Sequence, residues 1–445
     1  MDFTNFHMDH KQFGSMLSIV ARNQTRQTDQ SLELRRLFKL THHLKQLYEA
    51  VAKPPQWTQA GKFKEKRTPS GTSILLCLGL VFSHNHVLAE SNENRLFAYV
   101  TNQNSNTISL YRVNTRTGVP TLASSLPGGG GEPTSISIPP NGKFAYVTNC
   151  VPLPASSFVS TYTIDAAGGG LTQVPGSTIT TLKCPTAGLI PPNGKTLYIA
   201  NDLPTPSLSK VSAYAINHNT GALTAIPGSP FAAGTNTNLV SIDPAGRFLF
   251  AGGNNVLVYS INRATGGLVP VPGSPFASAS GDAIVGGVDP TGRFLYVSNP
   301  GSNVVSGYKL DPFTGSLTPI PGSPFLAGSN PYGISIEPTG KFLYVANQLS
   351  NNISAYRIDS HTGALSALPG SPYPAGNGPY FGSVDPEGRF LYFVNINSNN
   401  MSAFTINANT GALTSIPGSP FATGGGPNWI TFYRADSEHD DEEGH

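Results

Sequence analysis

One phrase recurs seven times along this chain, and its period dictates the architecture. The clearest copy is Asp289-Pro290-Thr291-Gly292-Arg293-Phe294-Leu295-Tyr296-Val297-Ser298-Asn299. Relatives begin at Pro139, Pro191, Asp243, Glu337 and Asp385, and a truncated copy runs from Asn94 to Asn102. Successive copies lie roughly 46–52 residues apart, a spacing that belongs to stacked repeats or propeller blades.

Each unit reads as four short strands. In the sixth, Gly333–Ile336 is the first strand, and Glu337-Pro338-Thr339-Gly340 is a turn with Pro second and Gly fourth, as a type I turn favours. Phe342–Ala346 is apolar on both faces, so both faces should be buried against neighbouring units. Ile353–Ile358 is the third strand, and Thr362-Gly363 supplies a hairpin turn. Leu365–Leu368 is the outermost strand and runs into Pro369-Gly370-Ser371-Pro372. Proline cannot donate to a ladder, so it belongs at an edge, which it also blunts.

The two ends of the repeat region complement each other. The first copy begins at its second strand, and a lone strand, Trp429–Tyr433, is left over after the seventh. Pairing the two closes a ring and leaves no unpaired inner edge. The expectation is an all-β, seven-bladed β-propeller over residues 90–434 whose C-terminal strand completes blade one.

Glycine at 48 residues and proline at 38 would suggest disorder if scattered, but here they occupy fixed repeat positions and read as turns. From Glu90 to Arg434 the chain carries 15 basic and 13 acidic residues. A nearly neutral ring argues against a nucleic-acid partner, which needs a basic stripe. Ahead of the ring, Lys62–Arg67 is basic, Ile74–Phe82 is apolar, and Val87-Leu88-Ala89 fits a small-residue cleavage site. That is the layout of a secretory signal over residues 62–89, too short to give a stable membrane span. Export to the periplasm, cell surface or exterior follows. Residues 1–61 read as an N-terminal extension or an over-long start assignment. Residues 435–445 read as an acidic, disordered tail.

Chemistry is harder to find. His218 and His361 are the ring's histidines, and both sit in Thr-Gly turns. Strand parity places those turns on the face opposite the loops between second and third strands. No Gly-x-Ser-x-Gly elbow, Cys-x-x-Cys pair or metal-ligand spacing occurs, so no catalytic residue, metal or cofactor is expected. The loop face is rich in Asn, including Asn330. Asn bonds its own backbone in turns, and it can also bind a neutral ligand. Tyr332, Tyr380 and Trp429 enter first strands beside the channel, as packing residues or as sugar-stacking platforms, and Asn428 precedes Trp429 as a further ligand-binding candidate. Glu132, Lys183 and Asp282 are the charges in connections between blades. Cys150 and Cys184 fall on one face of neighbouring blades, and an exported domain favours a bridge between them, with two free thiols as the alternative.

Tyr99-Val100-Thr101-Asn102 and Tyr146-Val147-Thr148-Asn149 resemble the signature of YVTN-repeat proteins, and the wider phrase resembles the lactonase family of β-propellers. That resemblance implies relatives of the 6-phosphogluconolactonase type, which open sugar lactones. The family often carries His or Arg after the Pro that starts an inner strand. Here those positions hold Thr134, Tyr332, Tyr380 and Asn428. The expectation is therefore a monomeric module that binds a small polar ligand, glycan or protein at its channel face. The alternatives are a lactone hydrolase using Glu132 or Asp282 with Lys183, and a structural surface propeller.

Overall fold

The computed structural model describes residues 96–151, 156–201, 209–279 and 281–435. All of them lie in the second of two units, residues 1–77 and 78–445. The expected extension, the signal-like segment 62–89 and the acidic residues after Ala435 fall outside the described residues.

The chain forms seven antiparallel sheets arranged as propeller blades, with blade one completed by the C-terminal strand. Among the described residues there is no α-helix, and no helix is long and apolar enough to cross a membrane. The closing strand, Pro427–Arg434, pairs antiparallel with Leu96–Asn102, from Leu96↔Arg434 to Asn102↔Pro427. The expected closure is present.

Blade six shows why the phrase folds as it does. Its first three strands are Pro331–Ile336, Phe342–Asn347 and Asn352–Ile358. The acid that opens the phrase is a turn cap: the Asp289 carboxylate accepts from the Arg293 and Phe294 backbone N–H groups, each at 2.7 Å. The Asn that ends the phrase ties second to third strand, as Asn347 Nδ2 donates to Asn352 Oδ1 and Ser354 Oγ at 2.8 Å. The phrase's Asn residues, among them Asn102, Asn299 and Asn347, are fully buried, so they are architecture and are not presented to a ligand.

The fourth strand departs from the expectation. In blade six it is two pieces, Leu365–Ala367 and Tyr373–Pro374, both paired with the third strand. The Pro-Gly-Ser-Pro segment loops out between them, because two prolines cannot donate to the ladder. Its serine takes over the exposed bond: the Ala355 N–H donates to Ser371 Oγ at 2.9 Å. Blade one lacks that phrase and keeps one continuous strand, Pro120–Pro127.

The core lies between blades, where Phe342, Tyr344, Leu391 and Phe393 pack together, for example. Tyrosine hydroxyls staple the joints. Tyr344 donates to the Gly411 carbonyl of the next blade at 2.9 Å, and Tyr392 donates to Gly118 across the closing joint at 2.5 Å. On the loop face a second staple recurs. Asn351 and Asn399 adopt left-handed φ of 55° and 54°. From there their side-chain oxygens accept from the Gly378 and Gly426 N–H groups of the following connections. These contacts hold the mouth of the channel in a fixed shape.

Candidate functional site

The first strands line the channel, and their early residues meet at the loop face. Thr134, Tyr332, Tyr380 and Asn428 all line one cavity of about 280 Å³ there. Tyr332 and Tyr380 stack with ring centroids 4.2 Å apart. Phe381 meets Tyr380 edge-on at 4.7 Å and Trp429 at 4.9 Å. Leu239, Ile284 and Ala187 pack against this aromatic group from the opposite blades. Together they divide the channel into two cavities that share Leu239 and Phe381 in their walls. Burial, reinforced by the neighbouring Tyr332, holds the Tyr380 hydroxyl well above the ordinary tyrosine value, so it stays a neutral donor.

Amides supply the polar side of the mouth. Asn428 Nδ2 donates to Gln103 Oε1 at 3.0 Å, and Gln103 Nε2 donates to Glu132 Oε2 at 2.9 Å. Gln103 is thus fixed at both ends. It is a functional candidate that the sequence reading did not single out. The available signal was its position directly after the phrase's Asn, matched by Gln348, which accepts from Asn330 Nδ2 at 2.6 Å. The Thr134 hydroxyl is committed to protein, contacting the Pro185 carbonyl at 2.7 Å and Thr148 Oγ1 at 2.8 Å.

The remaining candidates scatter. Glu132 stands one hydrogen bond behind the cavity wall. Asp282 Oδ2 accepts from the Gly301 N–H at 2.7 Å and caps the short turn Pro300–Ser302. Asn330 holds a left-handed turn with φ of 56°, and its N–H donates to Asn303 Oδ1 at 2.8 Å. Lys183 is half-buried beside Cys184 and lies outside the wall of the mouth cavity. Trp429 lines the other cavity, and its Nε1 donates to Thr431 Oγ1 at 3.0 Å. Cys150 and Cys184 are joined, with Cα atoms 4.5 Å apart, and both line the mouth. His218 and His361 sit in hairpin turns of the opposite face.

No charged side chain lines the mouth cavity among the described residues, and none of them form a group of three His, Cys, Asp or Glu placed to hold a metal. The arrangement offers an aromatic face for stacking and oriented amides for hydrogen bonding.

The family model of lactonases with a seven-bladed β-propeller matches residues 87–181 and 272–379. A candidate 6-phosphogluconolactonase from Bacteroides uniformis is similar in structure, with a TM-score of 0.64 at 20% identity, covering 77% of this chain and 100% of that one. One from Bacteroides fragilis gives 0.63 at 22% identity, covering 77% and 99%. The periplasmic gluconolactonase of Pseudomonas aeruginosa gives 0.61 at 20% identity, covering 77% and 100%. At these identities the likeness is one of fold. No curated protein sequence matches the chain significantly.

Proposed function

Taking the chain as a lactonase-family seven-bladed β-propeller, we propose that its channel mouth binds a neutral sugar or similar polar small molecule without hydrolysing it. The observation that supports this reading is the composition of the mouth. A stacked tyrosine pair lies beside the Asn428–Gln103 amide chain, and among the described residues no charged side chain lines the cavity. Sugars offer apolar ring faces to aromatic rings and hydroxyls to amides. A phosphorylated sugar would find no cation among the described residues of that wall.

Calorimetric titration of the full chain with neutral mono- and oligosaccharides tests the reading. Saturable binding, weakened about tenfold or more by Asn428→Ala, is expected, a loss of roughly 1.4 kcal/mol. Absence of saturation across neutral sugars would refute it.

A rival reading has one observation in its favour. Glu132 is positioned by Gln103, so a carboxylate stands close behind the wall. In that reading Glu132 serves a lactone hydrolase of the kind the structural neighbours' names describe.

The same proposal includes export. The basic, apolar and small-residue layout of residues 62–89 supports it, as does the likeness to a periplasmic gluconolactonase. N-terminal sequencing of protein recovered from cell fractions should read from Glu90. A cytosolic product that retains residues 62–89 would contradict it.

A further inference from the structure

The channel has a second end, and its chemistry is the reverse of the first. On the hairpin-turn face a cavity of about 370 Å³ opens behind the aromatic partition. Its walls are aliphatic, with Leu189, Ile190, Ile242 and Ile334 from three different blades, and Phe381 and Trp429 lie at its inner end. These side chains are half-buried: each packs part of its surface against a core between blades and turns the rest to the cavity.

The two polar side chains in the wall are Ser241 and Asp243. Asp243 is already committed. Its carboxylate accepts from the backbone N–H groups of Ala245, Arg247 and Phe248 and from Arg247 Nε. It therefore presents no free charge to a ligand. That leaves the Ser241 hydroxyl as the uncommitted polar side chain of a wall whose other polar surface is backbone.

For scale, a cavity of about 150 Å³ lined by Leu, Ile and Phe accepts benzene. Roughly two and a half times that volume accommodates about a dozen heavy atoms.

We propose that this turn-face cavity is a second binding site, for an uncharged and mostly apolar molecule of bicyclic-aromatic or medium-alkyl size with at most one hydroxyl. The site is separate from the sugar-binding reading of the mouth, since the Tyr380–Phe381–Trp429 group stands between them.

The probe is 2-naphthol, titrated calorimetrically into the full-length protein. One saturable site per chain is expected. Ile334→Trp and Ile242→Trp each place an indole in the chamber and should weaken binding at least tenfold. Asn428→Ala, at the opposite end of the channel, should leave it within about twofold. If one filling variant does not fold, the other decides. No saturable binding to the unaltered protein overturns the proposal. So does binding that survives the filling variants, or binding lost in Asn428→Ala, which would place the probe at the mouth.

Discussion

Removal of the closing strand is the most demanding perturbation of this fold. Truncation after Pro427 takes away Trp429, Ile430, Phe432 and Tyr433, which pack onto the cores of blades one, two and seven. Full burial of such a side chain contributes roughly 1.5–3 kcal/mol. Ile430 is fully buried and the other three about half, so the loss is about 4–8 kcal/mol. That rivals the total stability of an ordinary domain, about 5–15 kcal/mol. The truncated protein should therefore show no cooperative melting transition. A milder variant gives a graded result. Ile430 stands opposite Val100 in the ladder and is 3% exposed. Ile430→Ala should cost about 2–5 kcal/mol. With an unfolding entropy near 2.1 cal/mol/K per residue over about 340 residues, that lowers Tm by roughly 3–7 °C. Circular dichroism melts and urea titrations provide the readout. If the truncated chain melts with its parent, or if Ile430→Ala shifts Tm by less than about 1 °C, the closing strand does not hold the ring.

Two tyrosines in equivalent positions should respond oppositely to loss of the hydroxyl. Tyr392→Phe strands the Gly118 carbonyl at the closing joint and should cost about 1–3 kcal/mol, while Tyr146→Phe removes a buried hydroxyl with no partner and should be neutral or stabilising; urea titrations that reverse this order would refute the staple. Burial pushes the Tyr111 and Tyr259 hydroxyls up to about 12, against about 10 unfolded. The folded state then holds protons that the unfolded chain loses, so stability is intact below pH 10. Above it, stability should fall by roughly 1.4 kcal/mol per pH unit for each such tyrosine, and urea midpoints that stay flat from pH 10 to 11.5 would contradict this. Denatured, unreduced full-length protein should show one reactive thiol, Cys77, because Cys150 and Cys184 close a loop of 34 residues. Three thiols would remove the bridge and the roughly 3–4 kcal/mol it contributes in the chain-entropy account.

The blade count, the face assignments and the closure were legible because they depend on period and strand parity. The repeated phrase carries its own turn, its buried strand and its cross-strand Asn in fixed order. The split fourth strand was not legible, because it depends on Ser371 reaching back to the Ala355 N–H, a contact sixteen residues distant. The mouth was half legible. Tyr332, Tyr380 and Asn428 follow the prolines that open first strands, so their place at the channel could be read directly. Gln103 belongs to a loop of blade one, and only closure by Asn428 brings it into the wall. The opposite cavity was invisible to periodicity, because it arises where residues of different blades fail to meet.

The central claim is binding at the mouth without turnover, and one rate decides it. The full-length protein is added to a glucono-lactone solution in a pH-stat, and acid release is compared with the spontaneous rate. The account predicts no acceleration by the unaltered protein and none by Glu132→Gln. Turnover in the ordinary enzymatic range of about 1–10³ per second, lost in Glu132→Gln, would contradict it and establish the hydrolase reading in its place.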